Sequence, residues 1–263
     1  MSTFLTTNPE KITEELISFI KKSVDGKPVI IGLSGGIDST VTCELAIRAI
    51  GVESIKALTL KNIRYSQESL EIVREYTKKN RLKIQEIDTN ELRTRLIELL
   101  NVDTSNIQAI ASLDARITDL VIRTIAKNED RIYLGTINGS ERLTGWYPKN
   151  SLFGDICPIG GLLKSEVQSV AKYLQLPDGI IESVSDDASK ICSGCGELTE
   201  FKGVTYKQLD TVLFFYEEGL RGDDLENSLR PYDIPKDAIP KILHRIDSMQ
   251  HKQTGFPSYP KFR

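Results

Sequence analysis

The chain has 263 residues, 40% of them hydrophobic and 27% charged, and a formal net charge of −3. This is the balance of an ordinary globular protein, and it argues against a nucleic-acid-binding surface. No apolar run approaches the ~20 residues of a membrane span, the polar, acidic N-terminus carries no signal peptide, and the four cysteines are too few for a disulfide scaffold, so a cytoplasmic protein is expected.

In chain order, Asn8-Pro9 reads as a helix cap with proline in the first turn, and Ile12, Leu16 and Ile20 repeat at helical spacing. Gly26-Lys27-Pro28 breaks the chain. "VIIGLS" (29–34) reads as a buried strand, and Val41, Leu45 and Ala49 predict a helix ending near Gly51. "IKALTL" (55–60) is a second strand, and a helix over 66–79 places Leu70, Val73 and Thr77 on one side. "LKIQEI" (82–87) is a third strand, 106–127 a long helical stretch, and "RIYLG" (131–135) a fourth strand. Helices are expected over 164–174 and 205–218, with 183–198 as a loop. No repeat, low-complexity tract or long linker divides the chain, so residues 1–263 are expected to form a single domain.

Strands alternating with helices predict an α/β fold: a parallel sheet with helices on both faces, plus a helical C-terminal part. Ligands in such sheets sit beyond the carboxyl ends of the strands. The turn after the first strand lies there, as do residues 62–65, Asp88 and residues 136–141.

That first turn is glycine-rich. Gly32, Gly35 and Gly36 let the backbone approach a ligand closely, and the following helix N-terminus points N–H groups at an anion. Ser34, Ser39 and Thr40 add hydroxyls. A phosphate-binding turn follows, yet no Gly-Lys-Ser/Thr or G-x-G-x-x-G is present. Asp38 beside bound phosphate calls for a cation between the two, and Mg²⁺ suits that place. The plainer reading makes Asp38 a helix cap.

S-G-G-x-D-S after an apolar strand resembles the ATP-pyrophosphatase signature, whose members cleave ATP between the α and β phosphates. "ARITDLVIRTIA", "YLGTINGSERLTGWYPK", "GDICPIGGLLKSEV" and "SMQHKQTGFPSYPK" resemble NAD synthetase blocks in that family's order, from about residue 28 to the C-terminus. The resemblance implies an adenine nucleotide alpha hydrolase-like fold and a homodimer. It implies that Gly32, Leu33, Ser34, Gly35, Gly36, Ile37, Asp38 and Ser39 hold the ATP phosphates. Thr136, Lys164 and Ser185 match further ATP contacts, and Asp38 and Glu141 match Mg²⁺ ligands. Arg116, Lys149, Asp155, His251 and Lys252 match contacts to the dinucleotide.

Two departures stand out. "PKNSLFGDICP" is one residue shorter than the family's T-K-Y-G-D-G-type loop and has Pro148 for its threonine, so the pairing of Asp155 depends on where the gap falls. "ICSGCGELTEFKG" replaces the usual Gln-Thr-Asp-Glu, with Glu197 and Glu200 both candidates for its acid.

The implied reaction joins nicotinic acid adenine dinucleotide, ATP and ammonia to give NAD, AMP and pyrophosphate. A carboxylate offers ammonia only a poor leaving group; AMP transfer onto it makes a mixed anhydride that ammonia can open. Attack of an anion on a polyanion needs cationic charge, which Mg²⁺ on Asp38 and Glu141, with Lys164, would supply as the catalytic set. Only a short helix precedes the first strand and no cysteine precedes Cys43, so free ammonia rather than glutamine is the expected donor.

Each residue also has a plain reading. Glu141, Lys149, Lys164 and His251 are of types usually solvated, and Arg116 has Asp114 and Asp119 nearby for surface pairing. Cys192 and Cys195 form one C-x-x-C; a zinc site wants a second pair, so reduced loop thiols are expected, while Cys43 and Cys157 read as small core residues. The alternative function is another adenylating ATP-pyrophosphatase such as a tRNA-thiolating enzyme, with C-x-x-C as sulfur carrier. The acidic charge balance opposes it.

Overall fold

The computed structural model describes residues 8–61, 67–181, 201 and 203–253. Four strands, β1 (Val29–Gly32), β2 (Ile55–Lys61), β3 (Lys83–Asp88) and β4 (Ile132–Leu134), form one parallel sheet in the order β3-β2-β1-β4. Ile31 pairs with Ala57 on one side and Leu134 on the other. Leu134 also makes a parallel bridge to Ile156. Eleven α-helices accompany the strands among the described residues. They are α1 (Pro9–Val24), α2 (Ile37–Ile50), α3 (Gln67–Lys79), α4 (Asn90–Leu99), α5 (Ile107–Asn128) and α6 (Gly139–Thr144), then α7 (Lys164–Tyr173), α8 (Asp178–Ile181), α9 (Tyr206–Glu217), α10 (Gly222–Leu229) and α11 (Ala238–Gln253).

The uninterrupted apolar run of β1 reflects burial on both faces. Val29 and Ile31 pack with Leu45 of α2, Ile20 of α1 and Val170 of α7. Ile30 points the other way and packs with Leu58, Leu60 and Tyr133 against Ile122 and Ala126 of α5. Both faces are therefore covered, as the alternation predicts. A separate apolar cluster joins α9, α10 and α11 to Leu143 and Leu163, and this is the helical C-terminal part.

Local chemistry sets the element ends. The Asn8 side chain accepts from the N–H groups of Glu10 and Lys11, and α1 ends where Asp25 turns left-handed at φ 47°. Five helices lie outside those read from the sequence: α4, α6, α8, α10 and α11. α4 buries no residue, and α6 and α8 are only one or two turns long. No helix among the described residues is long and apolar enough to cross a membrane.

From β1 the chain crosses to β2 on one side, and β4 later docks on the other. Strand order reverses at β1, so the crevice between the carboxyl ends of β1 and β4 is the natural ligand position.

Candidate active site

β1 delivers the glycine turn into this crevice. Gly35 has φ +85°, and a Cβ there would stand 2.8 Å from the carbonyl oxygen of Ser69, so only glycine fits. The turn is tied by its own hydroxyls. Ser39 Oγ accepts from the Ser34 N–H at 3.2 Å and donates to the Gly36 carbonyl at 3.1 Å, while Ser34 Oγ accepts from the Gly36 N–H at 3.3 Å. α2 follows at once and carries Asp38 in its first turn.

β4 delivers the facing wall. Asn138 caps α6 in a reciprocal box: its side chain accepts from the Glu141 N–H at 2.9 Å, and the Glu141 carboxylate accepts from the Asn138 N–H at 3.0 Å. The Asn138 amide also donates to Asp38 Oδ1 at 3.1 Å. Lys164, the first residue of α7, donates to Asp38 Oδ2 at 2.5 Å. Lys164 is fully buried, and the Asp38 side chain keeps 17% exposure toward the crevice. Asn138 thus bridges the two acids, and Lys164 closes the group.

A cavity of about 270 Å³ opens beside them. Ser34, Asp38, Ser39, Thr136 and Glu141 line its polar end, and Leu58, Leu60, Ile122 and Leu152 contribute apolar wall. Two carboxylates completed by phosphate oxygens form the donor set that Mg²⁺ takes. Asp38 and Glu141 fit it, and no group of three His, Cys, Asp or Glu among the described residues could hold a metal unaided. Burial pushes the thiols of Cys43 and Cys157 up to about 12, so neither is a thiolate nucleophile at neutral pH.

A second group lies toward α11. Lys252 donates to the carbonyls of Gly145 at 2.6 Å and Tyr147 at 2.8 Å. Burial, helped by the charges of Arg245 and Arg116, holds its ammonium below the usual lysine range, which places Arg116 of α5 in its field. His251 is exposed, with Nδ1 2.9 Å from the Ser248 carbonyl. Lys149 is half-buried in the loop after α6.

The family model described as NAD synthase matches residues 10–255. The chain belongs to the NAD synthase family. It is 29% identical to the NH3-dependent NAD+ synthetase of Methanocaldococcus jannaschii, across 95% of this chain and 96% of that protein. It is 33% identical to that of Thermococcus sibiricus, across 92% of this chain and 94% of the other. Among solved structures it is similar to an NMN synthetase from Francisella tularensis, with a TM-score of 0.77 at 22% identity over 97% of this chain and 100% of that one. An NH3-dependent NAD synthetase from Campylobacter jejuni gives the same TM-score of 0.77 at 23% identity, again over 97% and 100%.

Within this NAD synthase fold, the glycine turn, Asp38, Thr136, Glu141 and Lys164 come together at the crevice, while Lys252 lies at the end of α6 within the field of Arg116, and His251 faces the Ser248 carbonyl of its own helix. Asp155 stands apart from both. Its carboxylate accepts from the Tyr133 N–H at 2.9 Å, lies 3.6 Å from Arg123 and borders a hollow with Lys27 and Arg131 at the amino ends of the strands. Ser185, Cys192, Cys195, Glu197, Glu200 and residues 62–65 lie outside the described residues. Sequence reading missed Asn138, although the N-x-x-E spacing of a capping box marks it. It also missed Arg245 and Gln253, which donate to the carbonyls of Thr144 and Leu143 and so cap the end of α6.

Proposed function

We propose that this chain makes NAD by ATP-dependent amidation of nicotinic acid adenine dinucleotide with ammonia, releasing AMP and pyrophosphate. The observation that carries the proposal is the meeting of Asp38, Lys164, Asn138 and Glu141 beside the glycine turn, in a chain matched by the NAD synthase family over residues 10–255.

The apolar wall of Leu58, Leu60 and Ile122 suits a nucleobase, and the serines of the turn suit the phosphates. Lys164 brings its charge on a buried stem, so its head has little freedom and opposes the charge that grows as pyrophosphate leaves. Asp38 and Glu141 would hold Mg²⁺, which when bound neutralises phosphate charge and polarises the phosphorus under attack. The substrate carboxylate displaces pyrophosphate from the α-phosphorus; ammonia then adds to the acyl carbon and expels AMP. No side chain is needed as a covalent carrier. Arg116 and Lys252, together near α6, supply cations for the dinucleotide phosphates.

Ammonia as donor agrees with the names of the relatives. A homodimer and a cytoplasmic location belong to the same proposal, with residues 1–263 acting as one unit. For the dimer, α4 and α5 leave Leu99, Leu100, Ile107 and Leu120 exposed, apolar surface that a second copy would cover.

The test is a product assay on the pure protein with ATP, Mg²⁺, the dinucleotide acid and ammonium. NAD, AMP and pyrophosphate should form in equal amounts, and at fixed subsaturating ammonium the rate should climb with the NH₃ fraction as pH rises. Because a structural neighbour is called NMN synthetase, the mononucleotide acid is run as a competing acceptor. Release of ADP and phosphate, equal turnover with glutamine, or preference for the mononucleotide would overturn the proposal.

A further inference from the structure

Asp210 lies in the middle of α9 beside Leu209, Thr211, Val212 and Leu213, and it is fully buried. A carboxylate in such a place is unfavourable unless its oxygens are bonded. Three donors reach it. Ser140 Oγ donates to Oδ1 at 2.6 Å; the Ser165 N–H at 2.7 Å and Ser165 Oγ at 2.6 Å donate to Oδ2. Burial pushes this carboxyl above the usual range, and both serines work against that rise.

The partners are the significant part. Ser140 precedes Glu141 on α6, and Ser165 follows Lys164 on α7. Ser140 Oγ also accepts from the Lys164 N–H at 2.9 Å. The N-cap of α7 is Leu163, whose side chain can accept nothing. The first N–H groups of α7 are therefore satisfied from other elements, by Ser140 and Asp210. Gly139 donates to the Leu162 carbonyl at 2.6 Å, clamping the start of α6 onto the same junction. The Lys164 ammonium lies 5.8 Å from the centre of the Tyr206 ring, so α9 borders both its backbone and its head.

We propose that Asp210 is a positioning residue of the amidation site: by holding Ser140 and Ser165 it aims Glu141 and Lys164 into the β1–β4 crevice. The inference rests on the function proposed above, because it takes Lys164 and Glu141 as the groups that meet ATP. Lys164 magnifies a small shift of α7, since its ammonium sits at the end of a four-carbon stem. Lys252 meets α6 at its far end, through the Gly145 carbonyl, and Arg116 lies on α5, so cutting the network should disturb these dinucleotide anchors less than it disturbs Lys164.

The test measures binding of Mg²⁺-ATP and, separately, of the dinucleotide acid by calorimetry, with thermal unfolding alongside. Asp210→Ala should weaken Mg²⁺-ATP by roughly tenfold or more, the scale of one charge-assisted hydrogen bond. The dinucleotide should bind within about twofold of wild type, which is well under one such bond. Asp210→Asn, whose carbonyl can still accept from Ser165, should recover most of the ATP affinity. If Asp210→Ala does not fold, Ser165→Ala and Asp210→Asn carry the comparison, each expected to weaken ATP a few-fold and to spare the dinucleotide. Equal weakening of both ligands, or a lower melting temperature with unchanged ATP affinity, would make the role structural only and overturn the inference. Wild-type protein that binds neither ligand would defeat the amidation reading itself, and this inference with it.

Discussion

Lys164 Nζ stands 2.5 Å from Asp38 Oδ2, joining the first residue of α7 to the first turn of α2 beside the crevice. The lysine is wholly buried and the aspartate is half-buried. Such a pair is weak evidence for stability, because desolvation offsets attraction; breaking it from one side is costly. Its presence next to a glycine turn and a second acid points to function instead.

Removing Asp38 therefore has two effects. Asp38→Ala should lower turnover by at least ~100-fold, the scale for a preorganised charge-stabilising group. It should also destabilise the fold by about 3 kcal/mol, because the Lys164 ammonium stays buried without its carboxylate. Steady-state assays and urea unfolding check both. Turnover within tenfold of wild type would remove Asp38 from the metal and phosphate chemistry.

Glu141→Ala should lower turnover by a similar ~100-fold. The stability loss should be smaller, about 1 kcal/mol, because a capping-box contact at a helix start is lost rather than a buried charge partner. Glu141→Gln keeps the acceptor for the Asn138 N–H, so it should restore stability without restoring activity. If Glu141→Gln is fully active, the carboxylate serves only the cap.

Arg116→Ala and Lys252→Ala should raise the KM for the dinucleotide acid more than the KM for ATP. Lys252 also donates to the Gly145 and Tyr147 carbonyls, so its loss should cost a further ~1 kcal/mol of stability. Arg116 is exposed, and its variant should melt like wild type. A KM rise confined to ATP would place both residues in the wrong pocket.

Glu86 supplies a pH test independent of the active site. Arg74 holds it through two hydrogen bonds of 2.6 and 2.7 Å and Lys61 pairs with it as well, lowering its carboxyl to about 2. A carboxyl lowered in the folded state stabilises the protein above its unfolded pKa and loses that contribution as pH falls through its folded pKa. Glu86→Gln should therefore be less stable than wild type at neutral pH, and the gap should close between the ordinary value of 4.5 and about 2. Urea unfolding at a series of pH values measures it; a gap constant across that range would mean the ion pairs contribute nothing.

Much of the frame is legible in the sequence. Val29, Ile30 and Ile31 run straight into Gly32, and only a strand covered on both faces explains such a run before a glycine turn. Helices with a buried stripe, such as α1 and α3, read correctly for the same reason. α4 does not, because Leu92 and Leu99 point to solvent and no core-facing stripe exists. At the site, the turn and Asp38 announce themselves, whereas Asp210 gives no local signal. Its partners Ser140 and Ser165 are 70 and 45 residues away, and only packing brings them together. Asp155 matched a motif, yet Tyr133 and Arg123 draw its carboxylate to the amino ends of the strands.

The central claim is that the substrate carboxylate itself attacks the α-phosphorus of ATP. Dinucleotide acid labelled with ¹⁸O in both carboxylate oxygens tests it in a single turnover mixture with ATP, Mg²⁺ and ammonium. One labelled oxygen should appear in each AMP, because the oxygen that attacks phosphorus leaves with AMP when ammonia takes the acyl carbon. The pyrophosphate should carry none. AMP free of label, or label in pyrophosphate or phosphate, would contradict the account.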